Sequence, residues 1–228
     1  MTARYAIYYA PRRESPLWEK ASAWLGRDAY SGASCNPPEL AGLGQIDLGA
    51  LTQDPRGYGF HATLKAPFEL REGRTEAELV DFTRTFAGLR QSFSAQIRPS
   101  RLGRFHAFLL TAPSAEMEAL HAACVREFDG FRAPLSEFDL ARRRKSGLTP
   151  RQDELLVDWG YPYVFEEFRF HMTLTGPVRD EDVSLRLSEH LSQYFLDETG
   201  PHNFDGVALF KQSERGAPFL ILERAAFA

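Results

Sequence analysis

Along the chain the apolar positions switch between the alternation of a strand and the three-to-four spacing of a helix. Residues 4–10, aromatic and β-branched, predict a strand. Ser15 offers an N-cap ahead of Pro16, and Leu17, Trp18, Ala21, Trp24 and Leu25 make a helical stripe that Gly26 can end. Residues 31–59 hold many Gly and Pro with little periodicity and read mostly as loop. Next comes a strand around Tyr58 to Phe68, then a capping box, Thr75-x-x-Glu78, ahead of Leu79, Phe82, Phe86 and Leu89 at helical spacing. Two strands, 92–98 and 104–112, flank a turn at Pro99 to Gly103. A helix from Ser114 aligns Met117, Leu120, Cys124 and Phe128, and a short one from Ser136 to Lys145 is closed by Gly147. Thr149-Pro150-Arg151-Gln152 opens another that ends near Gly160. A strand from Phe168 to about Pro177, a helix over 180–196 and two strands, 204–211 and 218–224, complete the order.

That order repeats. Phe-His61-Ala-Thr63-Leu is followed by a helix and two strands, and so is Phe-His171-Met-Thr173-Leu. Phe93 lies 32 residues beyond His61, and Phe204 lies 33 beyond His171. Such self-similarity predicts one α+β domain over 1–228, bilobal, built from duplicated strand-helix-strand-strand units around a central cleft. Lobe one carries His61 and Thr63, lobe two His171 and Thr173, with a helical insertion at about 114–160.

Composition narrows the class. The 228 residues are 43% hydrophobic and 25% charged, as in ordinary globular protein. The net charge of −4 and pI near 5.9 argue against an extended nucleic-acid surface, though not against a local basic pocket. No apolar run reaches the roughly 18 residues of a membrane span, and the N-terminus lacks a signal-peptide pattern. Cys35 and Cys124 form no CxxC and read as reduced thiols, which points to the cytoplasm. There is no His-Glu-x-x-His, Cys/His cluster, P-loop or dinucleotide fingerprint, so no metal or other cofactor is expected.

In a strand, residues i and i+2 share a face. His61 projects with Thr63, and His171 with Thr173, while Ala62 and Met172 point into a core. Two such strands meeting in a cleft bring together two imidazoles and two hydroxyls. One neutral His can take a proton, and the other, protonated, can supply one to a leaving oxygen. The hydroxyls can hold non-bridging phosphate oxygens. A single His-x-Thr strand is ordinarily structural; two copies at matching places in a repeat point to chemistry.

The paired His-x-Thr-Leu segments resemble the 2H phosphoesterase superfamily, which includes RNA 2′,3′-cyclic phosphodiesterases and 2′-5′ RNA ligase-like proteins. The segments Arg4-Tyr-Ala-Ile-Tyr-Tyr-Ala-Pro, Gly57-Tyr-Gly-Phe-His-Ala-Thr-Leu-Lys-Ala-Pro-Phe68 and Gly160-Tyr-Pro-Tyr-Val-Phe-Glu-Glu-Phe-Arg-Phe-His-Met-Thr-Leu-Thr-Gly176 look like its phosphonate-operon branch, as does Leu17-Trp with Ser22-Ala-Trp-Leu-Gly-Arg-Asp28. The resemblance implies a bilobal α+β fold and a metal-independent phosphoesterase. Its substrate would be a small phosphorylated molecule, with association with phosphonate-pathway proteins a further expectation. His61 and His171 would be catalytic, and Thr63 and Thr173 would bind phosphate.

Supporting candidates are less specific. Lys65 follows His61 by four residues and shares its face if the strand stays regular. From the basic run Arg142-Arg143-Arg144-Lys145, one or two side chains can meet a second phosphate, since consecutive helical residues point nearly all round. Tyr5 and Tyr163 offer aromatic faces and hydroxyls near strand ends. Two other readings use the same residues: an RNA-end processing enzyme, and a non-catalytic module that binds a phosphate metabolite.

Overall fold

A computed structural model describes residues 2–40 and 46–228. Met1 and residues 41–45, the latter part of the expected loop, lie outside the described residues. The chain opens with β1 (Arg4–Tyr9) and α1 (Pro16–Leu25). Ser15 caps α1 through the Trp18 amide, and Gly26 closes it at φ 78°. The expected loop over 31–59 instead contains two short helices, α2 (Leu48–Leu51) and α3 (Gln53–Tyr58). Asp47 caps α2 by accepting from the Ala50 amide, a local signal too brief to show as periodicity.

Then follow β2 (Ala62–Glu69), α4 (Glu76–Gly88), β3 (Phe93–Leu102) and β4 (Phe105–Leu110). Pro99 lies within β3 rather than in the turn, which is the two-residue link Gly103-Arg104, with Gly103 at φ 60°. The helices α5 (Ala115–Glu127), α6 (Glu137–Arg144) and α7 (Pro150–Trp159) lead to β5 (His171–Thr173). Both capping boxes, Thr75 with Glu78 and Thr149 with Gln152, are formed. The chain finishes with α8 (Glu181–Tyr194), β6 (Gly200–Phe204), β7 (Gly206–Gln212) and β8 (Leu220–Ala226). The strand expected at 204–211 is β7, and β6, which pairs with β3, precedes it without having been expected.

The molecule is α+β. Among the described residues all eight strands join one antiparallel sheet in the order β6-β3-β4-β5-β2-β1-β7-β8. The two motif strands are neighbours at its centre, each heading one half-sheet of four. The halves exchange their hairpins, however. β3–β4, which follow β2 in sequence, flank β5, and β7–β8, which follow β5, flank β1. Sequence repeats therefore record the order of elements, not contiguous packing units. Aromatic packing accompanies the exchange: Phe108 of β4 meets Phe195, just past α8, edge-on at 5.0 Å.

Helices cover one face of the sheet. α4 lies on β7 and β8, α5 on β2, and α8 on β3. Trp24 of α1 is fully buried, and its indole N–H donates to the Leu174 carbonyl at 2.9 Å, tying the helical layer to the residue after the second motif. Ala62, Met172, Phe60, Leu64, Phe108 and Leu174 are all in this core. Among the described residues no helix is long and apolar enough to cross a membrane, and Cys35 and Cys124 are free thiols.

Candidate active site

Strand register assembles the centre. Ala62 of β2 pairs with Met172 of β5 in antiparallel sense. His61 therefore stands across from Thr173, and Thr63 across from His171. Directly opposed Cβ atoms lie about 4.5–5.5 Å apart and diagonal neighbours about 7–8 Å. The four polar residues make a small rectangle with histidines on one diagonal and threonines on the other. All four line a cleft of about 550 Å³ that also includes Arg4, Tyr8, Tyr58, Arg142, Arg143 and Tyr163. A second hollow of about 500 Å³ adjoins it, sharing Thr63, His171, Tyr161 and Tyr163 and extending to Phe105 and Phe168.

Each imidazole is anchored the same way. His61 Nδ1 lies 3.0 Å from the Gly59 carbonyl, and His171 Nδ1 lies 2.7 Å from the Arg169 carbonyl. A carbonyl accepts only, so Nδ1 carries the proton in both rings and Nε2 is left with its lone pair free. Thr63 Oγ1 is 3.4 Å from His61 Nε2. Gly59 holds its carbonyl in place at φ 75°, and a Cβ there would come within 2.6 Å of the Ala29 Cβ, so only glycine fits. His61 stacks on Tyr8 with centroids 3.7 Å apart and planes 18° apart, whereas His171 meets Phe105 edge-on at 5.7 Å.

Burial favours the neutral form of both rings. It lowers His61 to about 4, with the Gly59 carbonyl opposing and the His171 charge adding. His171 is also lowered, again by burial and against the pull of the Arg169 carbonyl. A bound phosphate would raise both, because a nearby anion favours imidazolium.

The supporting candidates divide. Arg142 and Arg143 reach the cleft, as does Tyr163. Arg144 points away and holds Asp153 through two bonds of 2.6 and 2.9 Å. Tyr5 is on the helical face, donating to Glu76 of α4 at 2.6 Å. Alternation along β1 then places Arg4, Ala6 and Tyr8 on the cleft face. Arg4 and Tyr8, which pattern alone did not single out, thus complete the site. Their signal was a charged side chain and a tyrosine at period two, uninformative until the face of β1 was fixed.

Lys65 is corrected too. Tyr8 pairs with Thr63 but Ile7 pairs with Lys65, so β2 carries an extra residue at Leu64. This bulge breaks the alternation and turns Lys65 to the face opposite Thr63. There it donates to the Val125 carbonyl at 2.7 Å and to Asp129 at 3.0 Å. Desolvation lowers its pKa to about 8 although Asp129 opposes the shift. Lys65→Met is expected to cost about 1–3 kcal/mol in urea unfolding, since Asp129 keeps Arg132 at 2.8 Å. Turnover per folded molecule is expected to stay unchanged; a fall in turnover at unchanged stability would put Lys65 on the substrate.

Among the described residues no three or more His, Cys, Asp or Glu side chains are grouped to hold a metal ion.

The fold and the cleft together define an α+β protein with a twinned His-x-Thr site at the seam of one antiparallel sheet. The chain belongs to the family described as "Protein of unknown function (DUF1045)", whose model matches residues 63–220, from Thr63 through the whole second motif. It is 39% identical over 229 residues, 98% of its own length, to "Ribose 1,5-bisphosphate phosphokinase PhnN" of Janthinobacterium sp. (strain Marseille), covering 51% of that protein. It is 35% identical over 216 residues to the protein of the same name from Laribacter hongkongensis (strain HLHK9), covering 50% of it. The chain thus spans about half the length of the curated relatives it matches. Among solved structures, E. coli LigT with NADP+ aligns over 100% of this chain and 99% of its own at 11% identity and a TM-score of 0.42. A crystal structure described as a phosphoesterase aligns over 100% and 99% at 12% identity and a TM-score of 0.40.

Proposed function

We propose that this chain is a metal-independent phosphoesterase that cleaves a cyclic or linear phosphodiester of a small molecule, by two-histidine acid–base catalysis, in phosphonate metabolism. The observation that carries the reading is the register of β2 against β5. It sets each histidine across from the other strand's threonine, with both Nδ1 atoms anchored and both Nε2 atoms on one face. Pure binding of phosphate would not call for two imidazoles locked in the same tautomer.

In this scheme His61 Nε2, held neutral by burial against Tyr8, takes a proton from water as its oxygen attacks phosphorus. His171, protonated once the anionic substrate is bound, gives its Nε2 proton to the leaving oxygen as the P–O bond breaks. Thr63 and Thr173 donate to the non-bridging oxygens, where charge builds. A proton returned from His61 to His171 through solvent restores the resting state.

The names of the curated relatives support a phosphorylated ribose as the kind of substrate. Their kinase chemistry is not carried over, because the chain spans only about half of their length. The test is turnover in EDTA of ribose 1,2-cyclic phosphate 5-phosphate, nucleoside 2′,3′-cyclic phosphates and a 2′-5′ dinucleotide, followed by phosphorus-31 NMR. Metal-free hydrolysis of the sugar phosphate is expected. Turnover of the nucleotides alone would move the substrate class to RNA ends, and no turnover of any would remove the catalytic reading.

A further inference from the structure

One end of the cleft carries more positive charge than the protein itself neutralises. Arg4, Arg142, Arg143 and Arg215 gather there, with Asp139 and Glu69 as the nearby carboxylates. Arg215 takes both acids, at 2.8 Å from Asp139 and 2.9 Å from Glu69. Arg142 also leans on Asp139, at 3.1 Å. Among the described residues Arg4 has only a neutral hydrogen-bond partner, the Gln212 side-chain oxygen, with Nε at 2.7 Å. Arg143 lies over the Tyr161 ring, 5.1 Å from its centroid, and its buried Nε has no hydrogen-bond partner among the described residues. Four guanidiniums face two carboxylates, which leaves two positive charges unmatched.

Arg4 and Arg143 are half-buried, and a partly desolvated charge without a counterion is stabilised when a ligand supplies one. The ligand that matches two positive charges and two planar donor forks is a phosphomonoester, which carries about −1.5 to −2 charge at pH 7 and three acceptor oxygens. Arg4 and Tyr8 share the cleft face of β1, with Cα atoms roughly 13 Å apart at strand rise. Shortened by the reach of an arginine side chain, that leaves space for a sugar-sized spacer between the histidines and the arginines.

We propose that Arg4 and Arg143 form a docking point for a second, terminal phosphate of the substrate. This rests on the phosphoesterase reading only for the word substrate, since the docking point itself is a binding site. The substrate class it selects is a small bisphosphate: one phosphodiester at the histidines and one phosphomonoester at the arginines. The pair acts in specificity, not in bond breaking.

The experiment is calorimetric titration of the His61→Ala/His171→Ala protein, which needs no turnover, with ribose 5-phosphate against ribose and AMP against adenosine. In both pairs the phosphorylated compound is expected to bind at least about tenfold more tightly. Arg4→Gln and Arg143→Gln are each expected to remove most of that preference. Arg144→Gln, whose side chain is turned to Asp153, is expected to keep it. Thermal unfolding of each variant confirms that a folded protein was titrated. Equal binding within the pairs, a preference confined to the nucleotide, or a preference that survives both substitutions in folded protein would overturn the proposal. A wild-type protein that shows the phosphate preference but turns over no phosphodiester would defeat the catalytic reading and leave the docking point standing.

Discussion

His61→Ala and His171→Ala are each expected to lower kcat on the natural phosphodiester by about 10²–10⁴-fold, the range general acid–base groups contribute. The two losses should differ in kind. A base must act on water whatever the leaving group, so His61→Ala should show this loss on every ester. An acid matters only when the departing oxygen is poorly stabilised. His171→Ala should therefore recover most activity on a p-nitrophenyl phosphodiester, whose leaving group departs without a proton. The proposed assignment rests on their surroundings: His61 is packed face-on against buried Tyr8 with Thr63 Oγ1 near its Nε2, whereas His171 meets Phe105 edge-on. Recovery in His61→Ala instead would reverse the roles. Full activity in both variants would dismiss the histidines as catalysts.

Much of this centre was legible in the sequence, because strand chemistry is local. Period-two alternation put His61 with Thr63 and His171 with Thr173, and the caps at Ser15, Thr75 and Thr149 marked helix starts that the structure keeps. Those signals depend on residues a few positions apart. What failed depended on pairing between distant segments. The extra residue at Leu64 is visible only when β2 is laid against β1, so the face of Lys65 was not readable from β2 alone. Likewise, Tyr5 was the candidate from β1 and Tyr8 was not, until the bond from Tyr5 to Glu76 showed which face α4 covers. The exchange of hairpins between half-sheets is also a long-range choice. Two identical element orders are compatible with contiguous lobes and with crossed ones, and only core packing selects between them.

The same separation explains how the site is built. Core residues alternate with the motif residues, Ala62 beneath His61 and Thr63, Met172 beneath His171 and Thr173, so packing the sheet positions the chemistry. The chain then adds groups specific to one end: guanidiniums from β1 and α6 on one side, and the aromatic hollow toward Phe105 and Phe168 on the other. A near-symmetric cluster of two histidines and two threonines thereby sits between unlike arms, which suits an unsymmetrical ligand.

Holding buried histidines neutral has a consequence for the whole fold. Burial lowers His61, His121 and His202 each to about 4, against an ordinary value of 6.5. In the unfolded chain these rings take up protons near pH 6.5; in the native protein they do so only near 4. Between those values the unfolded state binds more protons, so stability falls as pH falls from 6.5 toward 4, while above 6.5 these groups contribute no slope. For His121, 2% exposed, such a shift corresponds to about 3 kcal/mol once titration is complete. Urea midpoints at pH 7.5, 6, 5 and 4.5 are expected to drop through this window. Asp139, lowered to about 2 chiefly by its hydrogen bond to Arg215, would release its stabilisation only below about 4, so the two kinds of loss are separable on the pH axis. His121→Gln, which can still accept from the Phe165 amide as His121 Nε2 does at 3.1 Å, should flatten the drop. Activity supplies the second reading. With His61 as the base, the acid limb of kcat/KM should lie near pH 4 and persist in His121→Gln. A limb near 6.5 would mean that the base is an ordinary solvated imidazole, and the burial of His61 against Tyr8 would then have no part in the chemistry.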